Sequence, residues 1–295
     1  MDDRVAWYNI SQIEGLGSVK IQSIARCLND LGKSASYVSD LEPIEIAKQI
    51  GVKEDLADRL YEQLRHPLEL PKELDEVKFL LPDDDYYPNH RFLSAVPPLP
   101  ALLWAIGSCS LLAQQSKTLG IAGSRETTSE ILDLVRSFAH QASRKGWLIV
   151  SGLAKGVDMA AHEGAIDGGL GTIGVLASGI SKAESNLNQS ELDEVAIISQ
   201  FEPPVPWSGQ RAMQRNSTIA GLSDRVLIAA SGLSGGSWEM AQLCLKKGKD
   251  VFVFDLTADE AEGNQKLIKA GATPLNREDF SEAFDDVLPD TDRLL

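Results

Sequence analysis

Short apolar segments alternate with helical segments over almost half of the chain, and this alternation constrains the fold more than any other feature. The apolar segments predict strands at Thr118–Ala122, Trp147–Ser151, Thr172–Leu176, Val195–Ser199, Arg225–Ala229 and Asp250–Phe254. Most of them lack the polar alternation of a half-exposed strand. Apolar runs of this kind are typical of parallel strands that are buried on both faces.

The segments between the strands have the composition and length of helices. Helices are predicted at Ser129–Lys145, Gly156–Asp167, Met213–Leu222 and Ser237–Lys247. Strand–helix alternation predicts an α/β fold, with a Rossmann-like, doubly wound and mostly parallel sheet covered by helices on both faces. Ligands of such sheets bind at the carboxyl ends of the strands, so functional residues are expected in the loops that follow them.

The flanking parts of the chain have a different character. Residues 1–69 show helical spacing and predict a small all-helical domain, in which Glu14–Lys20 is either a phosphate-approaching helix-hairpin-helix turn or a plain turn. Residues 70–116 are rich in proline and predict a linker and entry to the core, with one strand at Val77–Leu81. The core domain is expected at 117–278, followed by an acidic tail at 279–295 that forms a short helix.

Composition limits the classes of function. The formal net charge is −15, which opposes general adhesion to nucleic acid, but most of the acidic excess lies outside residues 117–257. No apolar run reaches the length of a membrane helix, and no signal peptide begins the chain. The three cysteines are scattered, which favours a reducing cytoplasm and predicts neither a metal site nor a cofactor.

Two glycine loops follow predicted strands. In the first, Gly123, Ser124 and Arg125 offer close backbone approach, a hydroxyl and a planar cation, as a phosphate site requires, although an ordinary turn with a surface arginine has the same residues. In the second loop, Gly152 and Gly156 flank a turn from which Lys155 projects.

Asp158 and His162 follow the second loop and stand four apart on one helix face. They form either a catalytic dyad, or a loop cap and a packed histidine. The second interpretation is favoured because no serine or cysteine has the spacing of a nucleophile.

A third cluster of candidates begins a predicted helix. Arg211 and Arg215 are four residues apart and Asn216 follows, so two guanidinium groups are expected on one helical face near an anion, unless that face is simply solvated. Trp207 and Trp238 lie near the predicted loops, where they either stack on bases or pack in the core.

Several motifs in order resemble the DNA-processing protein A (DprA/Smf) family over about residues 5–275. They are GSR (123–125), SGLAKGVDMAAHEGAI (151–166), IGVLASGI (173–180), RNSTIAGLS (215–223) and EGNQKLIKAGATPL (262–275). The resemblance implies a protein without catalytic residues that binds single-stranded DNA, forms a homodimer and loads a RecA-type recombinase during natural transformation. The phosphate pocket of the family would then correspond to Gly123, Ser124, Arg125, Ser151, Gly152, Lys155, Arg211, Arg215 and Asn216.

The chain also departs from the family pattern. Ser217 stands where the family usually has a second arginine, which removes one cation. The run Gly235–Glu239 is similar to half of a loop found in Rossmann-like nucleotide hydrolases and nucleotide-sensing domains. The alternative function is therefore a nucleotide-sensing or nucleotide-hydrolysing protein, in which Arg125 and Glu239 flank a ribose-phosphate.

Overall fold

A computed structural model describes residues 1–71, 77–182 and 193–277, and the predicted tail at 279–295 lies outside them. The chain begins with helices α1 (Asp3–Ser11), α2 (Ser18–Asp30), α3 (Pro43–Ile50) and α4 (Glu54–Arg65), with a 3-10 turn at Ala35–Asp40. Local sequence sets their ends. Asp2 caps α1 with its carboxylate, and α3 begins with a Glu42–Glu45 capping box and ends at Gly51, whose φ is 74°.

Nine strands within the described residues form one sheet. They are β1 (Lys78–Leu80), β2 (Leu103–Gly107), β3 (Thr118–Ala122), β4 (Leu148–Ser151), β5 (Thr172–Val175), β6 (Val195–Ser199), β7 (Arg225–Ile228), β8 (Val251–Phe254) and β9 (Thr273–Leu275). The order across the sheet is β1-β2-β6-β5-β4-β3-β7-β8-β9. Only the pairs β1–β2 and β2–β6 are antiparallel; the other pairs are parallel. The predicted α/β fold with a mostly parallel sheet is therefore confirmed.

Helices cover both faces of this sheet. The helices that follow α4 in the described ranges are α5 (Asn89–Phe92), α6 (Ser110–Ala113), α7 (Ser129–Arg144), α8 (Val157–Asp167), α9 (Gly209–Leu222), α10 (Gly236–Lys246) and α11 (Ala258–Lys269). Side chains alternate along β3: Leu119 and Ile121 pack with Val135 of α7, whereas Ala122 belongs to a second cluster with Ile219 of α9. This alternation gives each face of the sheet its own apolar core. No described helix combines the length and the apolar character that crossing a lipid bilayer requires.

The helical region packs against the segment that leads into the core. Trp7 donates to the Asp83 carboxylate at 3.0 Å, and the Gln22 amide donates to the carbonyl of Phe92 at 2.8 Å. One apolar cluster continues from α1 and α2 into β1 and β2. The division of the chain at residues 69 and 116 stays a prediction, but the apolar core is continuous across both positions.

The path of the chain creates a crevice at the carboxyl end of β3. From β3 the chain runs through α7 to β4 on one side, and it later returns from β6 through α9 to β7 on the other side. Connections that leave in opposite directions open a gap above the sheet between these neighbouring strands. The functional site is therefore expected beside the loops that follow β3 and β7.

Candidate functional site

A cavity of about 520 Å³ lies at this crevice. It is lined by Ala122, Gly123, Ser124, Arg125, Glu126, Ala154, Asp158, Trp207, Gly209, Ala212, Met213, Arg215, Asn216, Gly232, Ser234, Gly235, Gly236 and Ser237. Five of the predicted site residues are in this wall, and Ser151, Gly152, Lys155 and Arg211 are not. The loops after β3 and β7 and the first turns of α9 and α10 thus meet around one space.

The loop after β3 contributes its predicted residues to the cavity wall. A Cβ at Gly123 would come within 2.7 Å of the Val157 side chain, so only glycine lets α8 pack this close. The Ser124 hydroxyl donates to the Glu126 carbonyl at 2.6 Å and accepts from the Glu126 amide at 3.1 Å, which closes the loop on itself. Arg125 is exposed, and its guanidinium carbon lies 5.1 Å from the centroid of the Trp207 ring.

The loop after β4 lies behind the cavity wall and supports it. Ser151 is fully buried and donates to the Ile121 carbonyl at 2.6 Å, which ties β4 to β3. The Gly152 carbonyl accepts a hydrogen bond from the guanidinium of Arg215. Lys155 is exposed. These positions indicate support roles for Ser151 and Gly152.

Arg215 is buried beneath the cavity. It is 4% exposed, donates to the Val175 carbonyl at 2.8 Å in addition to Gly152, and lies 3.8 Å from the carboxylate of the buried Asp158. Burial lowers the pKa of the Arg215 guanidinium and raises the pKa of the Asp158 carboxyl, and their mutual attraction opposes both shifts. The guanidinium of Arg215 already binds two carbonyls and is paired with one carboxylate. It therefore contributes little positive potential to the cavity.

The other two predicted residues of α9 point to different places. Arg211 is half-buried and donates to the Pro206 carbonyl at 2.8 Å, although it lies only one helical turn before Arg215. The expected face with two guanidinium groups beside an anion is therefore not formed. Asn216 lines the cavity, and a Cβ at Gly236 would come within 2.8 Å of its amide nitrogen.

The first turns of two long helices face the cavity. The Ser208 hydroxyl caps α9 by accepting from the Arg211 amide. The cap residue of α10 is Gly235, which has no side chain to bond the free N–H groups of the first turn. Ser237 is the second residue of α10 and not its cap. An uncapped helix N-terminus carries a partial positive charge and free donors, which suit an anion.

The interpretation of Asp158 and His162 as a catalytic dyad does not fit the geometry. Within the described chain no hydrogen bond joins their side chains, and Asp158 accepts from the Ala154 amide at 3.4 Å. Thr172 donates to the Ile149 carbonyl at 2.8 Å, so Nδ1 of His162 donates to the Thr172 hydroxyl at 2.9 Å. Desolvation, together with the charge of Arg215, lowers the pKa of His162 to about 3, and the histidine is a neutral core residue.

Ser217, at the position of the usual second arginine, lines a different groove. That groove runs along the other side of α9, against Gly17, Ser18, Val19 and Lys20 of the helical region. The loss of a cation at position 217 therefore removes no charge from the cavity at β3. Glu239, which the nucleotide alternative places at the ligand, is exposed and is not part of the cavity wall.

One residue that supports the site was not singled out from the sequence. Asn264 of α11 is fully buried; its amide donates to the Ala229 and Phe254 carbonyls at 3.0 Å each, and its oxygen accepts from the Ser231 amide at 3.0 Å. It joins the ends of β7 and β8 to the loop that leads into α10. Its signal in the sequence is an asparagine within the predominantly polar segment EGNQKLIKAGATPL (262–275). No three His, Cys, Asp or Glu side chains of the described ranges are grouped as a metal site requires.

The family model of DNA recombination-mediator protein A matches residues 78–285. The chain belongs to the DprA/Smf family. DNA processing protein DprA of Bacillus subtilis is 33% identical over 198 residues, covering 65% of this chain and 66% of the relative. Protein Smf of Synechocystis is 28% identical over 284 residues, covering 92% of this chain and 69% of the relative. The match covers only 52% of protein Smf of Escherichia coli.

Two DprA structures have the same fold. The DprA structure from Streptococcus pneumoniae superimposes with a TM-score of 0.68 at 24% identity, covering 92% of this chain and 95% of that chain. DNA processing protein A from Helicobacter pylori, described for its single-stranded DNA binding mode, superimposes with a TM-score of 0.60 at 25% identity, covering 72% of this chain and 96% of that one. The DprA fold therefore extends over the helical region as well as the sheet.

Proposed function

We propose that this chain binds single-stranded DNA and that the cavity at β3 and β7 holds a phosphate of the strand. The observation that carries the proposal is the position of Arg125. Its exposed guanidinium lines the cavity together with the first turns of α9 and α10. A planar cation with several donors, next to two helix N-termini, fits the charge and the acceptor oxygens of a phosphate.

Family membership supports this function, because the H. pylori relative with the same fold binds single-stranded DNA. The net charge of −15 points to a local contact, since a strongly anionic surface repels a polynucleotide elsewhere. Ser124, Ser151, Gly152 and Arg215 would then shape the cavity, and Lys155 and Arg211 would lie beside it. Asp158 and Glu126 limit the positive potential, and Asp158 is already paired with Arg215.

The test is a titration of labelled oligo-dT at two salt concentrations. Affinity should fall with salt by about 0.7 log units per log unit of salt for each neutralised phosphate, and Arg125→Ala should reduce this slope by about 0.7. Arg144→Ala is the matched control, because this exposed arginine ends α7 at the opposite end of the helix. An equal loss in both variants would mean that the contact is diffuse and not at the cavity.

The nucleotide alternative is tested with the same protein. If oligo-dT does not bind at low salt while mononucleotides raise the melting temperature, the nucleotide-sensing function replaces the DNA-binding one. No geometry at the cavity assigns a catalytic residue, and we propose a binding protein and not an enzyme.

We further propose, on family membership alone, that the protein is a cytoplasmic homodimer that protects incoming DNA and loads a RecA-type recombinase. Light scattering measures the oligomeric state. A nuclease-protection assay and a strand-exchange assay with a RecA-type protein measure the other two roles. A monomer with no effect on recombinase loading would contradict this extension and leave DNA binding standing.

A further inference from the structure

Large apolar side chains gather at the mouth of the cavity. Nine such side chains in the described part of the chain are more than a third exposed, and three of them are Trp207 at 54%, Met213 at 47% and Leu233 at 45%. Trp207 and Met213 line the cavity, and Leu233 lies between two lining residues, Gly232 and Ser234. Exposed apolar side chains that cluster beside a polar cavity indicate a contact surface, whereas isolated exposed apolar side chains are common on any protein surface.

The guanidinium of Arg125 lies over the ring of Trp207. The guanidinium carbon lies 5.1 Å from the ring centroid, within the range of a cation–π contact. A guanidinium that contacts a ring through its face keeps its N–H groups directed outward in its own plane. Arg125 can therefore hold Trp207 in place and bind a phosphate at the same time.

The cation and the apolar side chains together indicate the chemical class of the ligand. A wall that combines an exposed cation and helix N-termini with exposed apolar side chains fits a molecule with an anionic part and a flat apolar part a few ångströms apart. A nucleotide of a single strand has this form, because its base is free to stack on an aromatic side chain, whereas the bases of a duplex are stacked inside it. The cavity, about 520 Å³, is within the range of ~300–1,000 Å³ that encloses one small ligand.

We propose that Trp207, an exposed apolar side chain of this cavity together with Met213, is a stacking platform for one unpaired base, whose neighbouring phosphate lies at Arg125 and the N-termini of α9 and α10. The inference rests on the proposed function and adds the residue by which the site distinguishes single strands from duplex. Trp207 is a binding residue here, and its indole contributes a π-face rather than a hydrogen bond to a base edge. Little preference among the four bases follows, because each of them has a π-face.

The first experiment compares two ligands that differ only in their bases. Oligo-dT and an abasic oligonucleotide of the same length present the same phosphates. The wild-type protein should bind oligo-dT about 5- to 100-fold more tightly, and Trp207→Leu should remove this difference by weakening oligo-dT binding alone. Trp207→Phe keeps an aromatic face and should retain most of the preference. Trp238→Phe is the matched control, since Trp238 is half-buried against the core and outside the cavity wall.

The second experiment reads the stacking directly. The chain has five tryptophans; Trp7, Trp104 and Trp147 are buried, and Trp207 is the most exposed. Oligo-dT should quench the intrinsic fluorescence of the wild type and of Trp238→Phe, and quenching should be absent in Trp207→Phe despite retained binding.

The outcomes separate the two proposals. If Trp207→Leu binds oligo-dT as tightly as the wild type, the platform is wrong and DNA binding at Arg125 stands. If the wild type binds neither oligonucleotide, the proposed function itself fails. Because Trp207 is exposed, an unchanged melting temperature of the variants shows that a loss of binding is not a loss of folding.

Discussion

The guanidinium of Arg215 occupies the space that a side chain at position 152 would need. A Cβ built on Gly152 would lie 1.7 Å from Nη1 of Arg215 and 2.4 Å from the nearer carboxylate oxygen of Asp158. Gly152 therefore leaves the space in which the buried ion pair of Arg215 and Asp158 packs. The same residue type in a phosphate-binding loop would admit the ligand, so the sequence pattern is the same for both uses.

Gly152→Ala should destabilise the protein by about 2–3 kcal/mol or more, because a methyl group at this position displaces the buried Arg215–Asp158 pair. Urea unfolding measures the change. Gly232→Ala is the matched control: it changes a glycine in the loop after β7, where nothing lies within 4 Å of the added Cβ. The control should remain within about 1 kcal/mol of the wild type. Equal stability of both variants would show that Arg215 is not packed as described.

Arg215→Leu should cost about 3–5 kcal/mol of folding free energy, since it leaves the Asp158 carboxylate buried without its partner. Arg125→Ala changes an exposed side chain and should alter stability by no more than about 0.5 kcal/mol. Adding Asp158→Asn to Arg215→Leu should recover part of the loss, because the unpaired charge is then gone. If the double variant is less stable than Arg215→Leu, the pair does not interact as proposed.

The strands of the core could be predicted almost to the residue because each is an uninterrupted apolar run. Thr118–Ala122 and Val195–Ser199 are confirmed without change, and the other four are shorter by one residue. The strand at Leu103–Gly107 was not predicted, because it follows a proline-rich stretch that reads as a linker. Its place in the sheet depends on pairing with β6, nearly a hundred residues later, which local pattern does not reveal.

The site was predicted less completely, for a reason that Arg211 and Arg215 illustrate. Spacing of four residues places two side chains on similar faces of a helix, but it does not say whether that face meets solvent or the sheet. Here Arg215 is buried, while Arg211 bonds to the Pro206 carbonyl. The loops that follow β3 and β7 were found because strand ends of one sheet meet at one edge. Which charged side chains at that edge stay available to a ligand depends on tertiary packing.

Asn264→Leu should destabilise the protein by about 2–4 kcal/mol and weaken oligo-dT binding. The change removes the acceptor of the Ser231 amide and one donor each from the carbonyls of Ala229 and Phe254, and it releases the loop that leads to the N-terminus of α10. Asn264→Asp should be similarly harmful, because a carboxylate has no donor for the carbonyls of Ala229 and Phe254. Urea unfolding and the oligo-dT titration measure the two effects.

The control for Asn264 is Glu262→Ala, an exposed position of the same helix, which should change neither quantity noticeably. Full stability in Asn264→Leu would mean that water replaces the lost hydrogen bonds. The role of Asn264 in holding the cavity wall would then be refuted.

His162 should make the protein less stable as the pH falls from about 6.5 towards 3. Its pKa is about 3 in the folded protein, because burial disfavours the imidazolium, against an ordinary value of 6.5. The unfolded chain therefore binds a proton in this range that the folded chain excludes, and protonation favours unfolding. At one pKa unit per ~1.4 kcal/mol, the loss between pH 7.5 and pH 5 is about 2 kcal/mol.

Urea unfolding of the wild type and of His162→Asn at these two pH values isolates the effect. The asparagine amide can still donate to the Thr172 hydroxyl but does not titrate, so this variant should lose about 2 kcal/mol less stability on acidification than the wild type. The Asp224 carboxylate acts at lower pH than His162. Burial alone would raise the pKa of Asp224, but hydrogen bonds and charge from Arg91 and its neighbours lower it, so its contribution is lost only below its ordinary value of 3.8. Identical losses in the two proteins would show that His162 takes up its proton in the folded state, and that its environment is more polar than the packing of α8 against the sheet implies.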